Sequence, residues 1–219
     1  MKTSRTGFWL FCGLVLVAMV ACADTNPNPA DGASGGSSLV LGAESPQALA
    51  ERLQQAARNN DMREFFACLV PEELAGMVEE LTFLVGMMVA FSLDEDLDME
   101  EAEAAVAEKM AGLDVVFERY GLPAMSDDEA MEDDSELAGI IGEMEHPTVI
   151  ELLAELAEVM DGVMRDQGED DFSSEVLAPF ESDLADLMVE GDRATGTFDD
   201  MPVEFVRMDG RWFLKEPEG

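Results

Sequence analysis

Histidine and tyrosine occur once each in this 219-residue chain, as His146 and Tyr120, and cysteine only at Cys12, Cys22 and Cys68. A Ser-His-Asp or Cys-His pair would have to use His146, which stands just before Pro147, at an N-cap position, with no orienting residues around it. No Cys/His set has metal-ligand spacing, no glycine-rich loop suits phosphate, and no cofactor is expected. Basic residues are scarce: 12 Lys and Arg stand against 49 Asp and Glu, a net charge of −37. That balance excludes nucleic acid as a partner and disfavours direct contact with anionic lipid headgroups. No apolar run reaches the ~20 residues that a membrane-spanning helix needs.

What is present begins with a three-part N-terminus. Lys2 and Arg5 form a short basic region, 7–21 carries no charge, and small Ala21 precedes Cys22. This is the layout of a secretory signal, with an apolar run near the upper end of the usual ~7–15 residues. Met19-Val20-Ala21-Cys22 resembles the lipobox of bacterial lipoproteins, with Met19 where Leu is commonest. The resemblance implies removal of residues 1–21 and acylation of Cys22 as the new N-terminus. Ala23 follows the cysteine and Asp24 comes one later, which in that family favours the outer membrane over the inner, facing the periplasm. Ordinary cleaved secretion and an uncleaved anchor are the alternatives. Each buried methylene of an acyl chain contributes ~0.8 kcal/mol, so several chains on one cysteine hold firmly. Loss of Lys2 and Arg5 would leave ten basic residues against 49 acidic ones, a charge of −39. Cys68, in FFACLV, would then be the only thiol, without an intramolecular disulfide, and is expected to be buried and inert.

Residues 22–43 are rich in Pro, Gly, Ser, Asn and Asp and are expected to form a flexible tether spanning ~25 Å. Leu39-Val40-Leu41 could instead dock as a short edge strand. Residues 44–219 suffice for one folded domain, with helices over 45–180 and a sheet over 184–215. Ser45 and Pro46 start a helix with an apolar stripe of Leu49, Leu53 and Ala56. Asp61 and Glu64 have capping-box spacing for a second helix holding Phe65, Phe66 and Leu69. Pro71 opens a third, striped by Leu74, Met77, Val78, Leu81, Leu84, Val85, Met88 and Phe91. Its second half, 81–93, is uncharged, the pattern of a helix buried on all sides. A helix from Asp98 to Tyr120, an acidic loop over 122–134, a short helix over 135–144 and a long one from Pro147 to Arg165 follow. On the last, Glu151, Glu155 and Glu158 are expected to face outward and repel one another.

The period then changes to two. Strands are expected near 184–189, 193–198, 202–208 and 211–215, with Asp209-Gly210 as a two-residue hairpin loop. That register pairs Glu204 with Lys215 and puts Val203, Phe205, Trp212 and Leu214 on the inner face. The fold class is therefore α+β, mainly helical with a C-terminal antiparallel meander of three to four strands. SPQALAERLQQAARNNDMREFFACLVPE (45–72) and GDRATGTFDDMPVEFVRMDGRWFLKE (191–216) resemble the opening helices and closing strands of nuclear-transport-factor-two-like secreted domains. The resemblance is structural and carries no functional residue across. It also departs over 72–180, which reads as helical where that family supplies more sheet.

The sequence points to no catalytic residue. The leading function is a non-enzymatic, membrane-anchored envelope protein whose domain binds a protein partner or a small apolar ligand. The candidate surface is Leu81, Phe83, Leu84, Met87, Met88 and Phe91. One alternative is a small-pocket hydrolase or isomerase using an acidic pair. Another is weak cation binding at Asp94, Asp96 and Asp98 or at Asp127-Asp128. An EF-hand is rejected, because Met99 replaces its glycine and Ala105 its closing glutamate.

Overall fold

Ser45 and Pro46 start helix α1 (Pro46–Asn59) as local chemistry dictates. The serine hydroxyl accepts from the Ala48 amide at 3.1 Å, and proline sits where its missing N–H costs nothing. The computed structural model describes residues 39–91, 99–124, 134–168 and 170–215. Leu49, Leu53 and Ala56 are fully buried on α1, and Asn60 leaves it in the left-handed region at φ 51°. Asp61 caps α2 (Met62–Phe66) through the Glu64 amide at 3.0 Å. Only half of the capping box forms, because the Glu64 carboxylate pairs with Arg52 at 2.7 Å instead of reaching back. Helix α2 stops at Phe66, so Leu69 is not helical; it forms a parallel bridge with Leu214.

Helices α3 (Pro71–Phe91), α4 (Met99–Arg119), α5 (Asp134–Glu143), α6 (His146–Gln167) and α7 (Phe172–Leu177) follow, then a 3-10 turn, Ala178–Glu181. Helix α6 is the hub, with α2, α3, α4 and α7 packed on it. Val149, Ile150, Leu152, Leu153, Leu156 and Met160 are all buried, a wider face than a single stripe. Its N-cap is Glu145, without a side-chain cap bond, and His146 is the first helical residue and exposed; the expected cap is displaced by one position. Two of the three expected outward glutamates are in ion pairs that no pattern along one helix reveals. Glu151 pairs with Arg63 of α2, and Glu155 with Arg119 of α4. Only Glu158 is exposed, so mutual repulsion along α6 is relieved by neighbouring helices.

The sheet is an antiparallel meander in the order β1 (Ala185–Glu190), β2 (Arg193–Phe198), β3 (Met201–Met208), β4 (Arg211–Lys215). The β3–β4 register is the expected one: Glu204 faces Lys215, and Arg207 faces Trp212. Three two-residue loops join the strands. Asp209-Gly210 has φ 50° and 83°, the doubly left-handed geometry of a type I′ turn. Asp199-Asp200 has φ 44° and 66°, so this loop is one residue shorter than expected and Met201 pairs with Phe198 inside the sheet. Val203, Phe205, Trp212 and Leu214 are buried on the inner face. Helices precede the sheet along the chain and pack on it, an α+β architecture. Among the described residues between 71 and 181 there is no strand.

A chain of aromatic rings joins the layers. Phe66 lies 5.7 Å from Phe65, Phe65 lies 5.5 Å from Phe180 of the 3-10 turn, and Phe180 lies 5.2 Å from Phe198 of β2.

The folded part begins earlier than the expected residue 44. Ala43 is buried and forms an antiparallel bridge with Trp212, exchanging backbone bonds of 2.9 and 2.8 Å. Two arginines hold the preceding strap. Arg52 donates to Val40 O at 2.8 Å and to Gly42 O, and Arg211 donates to Leu41 O and, at 2.7 Å, to Gly42 O. Gly42 has φ 56°, and the strap passes so close to β4 that a Cβ there would lie 2.6 Å from Trp212 O and 2.7 Å from the Phe213 ring. Residues 39–43 thus belong to the domain as a clasped strap rather than to a tether or a regular strand.

Candidate functional site

The uncharged stretch that begins at Leu81 divides into two faces on α3. Leu81, Thr82, Val85 and Val89 are buried. Phe83 is 62% exposed, and Leu84, Met87 and Met88 are half-buried. The expectation of burial on all sides is corrected here: α6 is the principal neighbour of α3 and covers one side, leaving Phe83 and Met87, one turn apart, on the other. Leu81 is withdrawn from the candidate surface because it faces the core. The Phe91 side chain, Cys22, Asp94, Asp96, Asp98 and Asp127-Asp128 lie outside the described residues.

Concavities are shallow. One, of about 400 Å³, is lined by Asp114, Val115, Glu118, Gly121, Leu122 and Ala124 at the end of α4. Another, of about 290 Å³, lies between α4 and α6 and is lined by Gly112, Gly162, Glu158, Arg165 and Asp166 among others. Of the carboxylates lining them, Glu118, Glu158 and Asp166 are exposed to solvent and Asp114 is half-buried. An acid–base pair needs a desolvated carboxyl at the base of a cavity.

A described carboxyl whose pKa is raised serves a helix end. Asp161 of α6 is lifted by burial, against the opposing pull of two hydrogen bonds. Its Oδ1 accepts from the Ser173 amide at 2.8 Å and its Oδ2 from the Ser173 hydroxyl at 2.7 Å. Asp171, the N-cap of α7, makes no side-chain cap bond, so Asp161 caps α7 from a neighbouring helix. Asp161→Ala is expected to cost about 1–2 kcal/mol, because buried Ser173 loses partners for two donors. Asp161→Asn, which keeps an acceptor, should cost less. A raised carboxyl pKa adds stability that is full below the unfolded value and lost as pH rises through the folded one. Wild type should therefore gain on Asp161→Asn as pH is lowered from 7 through the raised pKa. Urea titrations at both ends of that range check the sign, and an opposite trend would show that the hydrogen bonds outweigh desolvation.

Two further titratable groups are held protonated. Tyr120 is pushed up to about 12 by burial and by the bond its hydroxyl donates to Glu155 at 3.0 Å. Burial pushes the Cys68 thiol up to about 12, so at neutral pH it is not a thiolate nucleophile. Cys68 is fully buried, as its apolar surroundings in sequence imply. Among the described residues no group of three or more His, Cys, Asp or Glu is placed to hold a metal ion. No helix among them is long and apolar enough to cross a membrane.

The Arg52–Arg211 clasp and the Asp161–Ser173 cap were not legible in sequence, since each joins residues far apart along the chain. No family model, curated protein or solved structure matches this chain.

Proposed function

We propose that this chain is a lipid-anchored protein of the bacterial cell envelope whose helical domain binds a protein partner through the outer face of α3 and performs no catalysis of its own. The anchor is Cys22, and the favoured site is the outer membrane, facing the periplasm. The binding half is carried by one observation: Phe83 stands 62% exposed, with half-buried Met87 one turn along, in a chain of net charge −37. Isolating an aromatic residue in so acidic a surface suits a partner with an apolar patch and a basic rim. A small apolar ligand is less well served, because both shallow concavities have charged residues on their walls.

A photo-crosslinking residue placed at position 83 in cells should give an adduct that the same residue at Glu118 does not. Phe83→Ser should weaken the captured partner's binding by at least about 2 kcal/mol, roughly thirtyfold, with the melting temperature unchanged. Cys22→Ser should retain the precursor and stop incorporation of labelled fatty acid. Equal crosslinking at both positions would overturn the binding surface, and unchanged fatty-acid labelling would overturn the anchor.

A further inference from the structure

The fold treats the two edges of its sheet differently. The β4 edge is closed by Ala43, bridged to Trp212, and by residues 68–70, where Leu214 N–H donates to Cys68 O at 2.8 Å and Val70 N–H donates to Leu214 O at 3.1 Å. At the other edge, the backbone of β1 hydrogen-bonds β2 alone among the described residues. Five of its six residues are exposed, including Met188 at 65% and Val189 at 51%.

Those two large apolar side chains lie on opposite faces of the strand. Val189 pairs with Ala194, and so shares the inner face with Phe205, yet it is half exposed. Met188 pairs with Thr195 and shares the outer face with Glu204. Among the described residues β1 is thus a ledge, open along its edge and around Met188 and Val189, while Leu187 packs against the core. The loop at Gly191-Asp192 makes Glu190 and Arg193 the closing pair, so alternation turns the N–H and C=O of Val189 outward.

Charge decides what suits the ledge. Residues 181–192 hold Glu181, Asp183, Asp186, Glu190 and Asp192 and no base. All five are exposed; Asp192 pairs with Arg207 at 4.0 Å, while Arg193, across from Glu190, reaches Glu204 at 3.5 Å. A second copy fits poorly: antiparallel self-pairing about Met188 sets Asp186 of each strand opposite Glu190 of the other, and like charges directly opposite are destabilising. The register shift between Ala185 and Met188 confines the regular part of this edge to Met188–Glu190. Of the segments outside the described residues, 22–38, 92–98, 125–133 and 216–219 carry acids and no base, and Lys2 and Arg5 lie within 1–21, the part that the proposed processing would remove.

We propose that β1 is a docking edge for a short, basic, extended peptide segment of a partner protein, which pairs with Val189 and lays its side chains over Met188 and Val189. This surface is on a different element from the α3 face and does not rest on it. Main-chain pairing would give affinity, and Glu190 and Asp186 opposite Lys or Arg would give selectivity.

The probe is a ten-residue peptide of alternating Lys and Val with blocked ends, titrated into the full chain in detergent. Two controls accompany it: the same peptide with a central proline, equal in charge, and a Glu–Val peptide. Binding of the Lys–Val peptide should slow hydrogen exchange at the Val189 amide about tenfold, and the proline-containing peptide should bind at least about tenfold more weakly. Val189→Pro removes the outward donor without breaking the β1–β2 ladder and should abolish the difference between the two basic peptides. Glu190→Lys, on the exposed closing pair, should weaken the Lys–Val peptide about tenfold and serves where the proline variant does not fold. Equal binding of both basic peptides to wild type would reduce the effect to net charge and overturn the proposal. So would protection away from β1, or a solution dimer that itself protects Val189.

Discussion

Phe180→Ala is expected to lower stability by about 3–5 kcal/mol, the usual cost of removing a fully buried phenylalanine. The residue sits in a 3-10 turn of only four residues, Ala178–Glu181, between the helices and the sheet. Its ring meets Phe65 at an interplanar angle of 53° and Phe198 at 67°, tilted and edge-on arrangements each contributing about 0.5–1.5 kcal/mol beyond burial. Truncation would open a cavity where Phe65 of α2, the turn and Phe198 of β2 meet. For a chain of this size the melting temperature should fall by roughly 6–20 °C. Phe83→Ala is the matched control, since its exposed ring should leave stability within about 0.5 kcal/mol. Thermal unfolding followed by circular dichroism separates the two. A Phe180→Ala protein that melts with the wild type would mean that the layers are joined elsewhere.

Gly42→Ala should be nearly as damaging, although it adds a single methyl group. Its backbone is left-handed, which costs an L side chain about 1–2 kcal/mol, and the new Cβ would fall 2.6 Å from the Trp212 carbonyl oxygen. That oxygen belongs to the backbone and cannot swing aside. The strap must lift, breaking both Ala43–Trp212 bonds at about 0.5–1.5 kcal/mol each. We expect a loss of roughly 2–4 kcal/mol, with faster hydrogen exchange at Trp212 and new protease cleavage near Val40. Unchanged exchange at Trp212 would show that residues 39–43 are not held on β4 in solution.

Local signals were legible wherever a short-range rule governed the outcome. The Ser45-Pro46 start of α1, the Asp61 cap of α2, the Pro71 start of α3 and the Asp209-Gly210 hairpin all follow from one turn of chain. The β3–β4 register followed too, because a two-residue loop leaves no freedom in the pairing. Misjudgements came where a neighbour distant in sequence intervened. Glu64 turned from its capping role to Arg52, Glu151 and Glu155 found arginines on other helices, and Leu69 was drawn onto β4. The candidate binding surface was half legible: a run without charge marks apolar surface, but not which side a neighbouring helix covers.

The sequence by itself determined the class of the fold, most element boundaries, the extreme acidity and the poverty of catalytic side chains, and it supplied the Met19–Cys22 motif on which the proposed anchor rests. Periodicity, capping and turn chemistry are properties of consecutive residues, so they survive without tertiary context. The tertiary structure decided which apolar residues stay exposed, that α6 is the hub, that Arg52 and Arg211 clasp the strap, and that among the described residues one sheet edge is closed while β1 stays open. Those outcomes depend on which surfaces meet, and burial is set by the partner as much as by the residue.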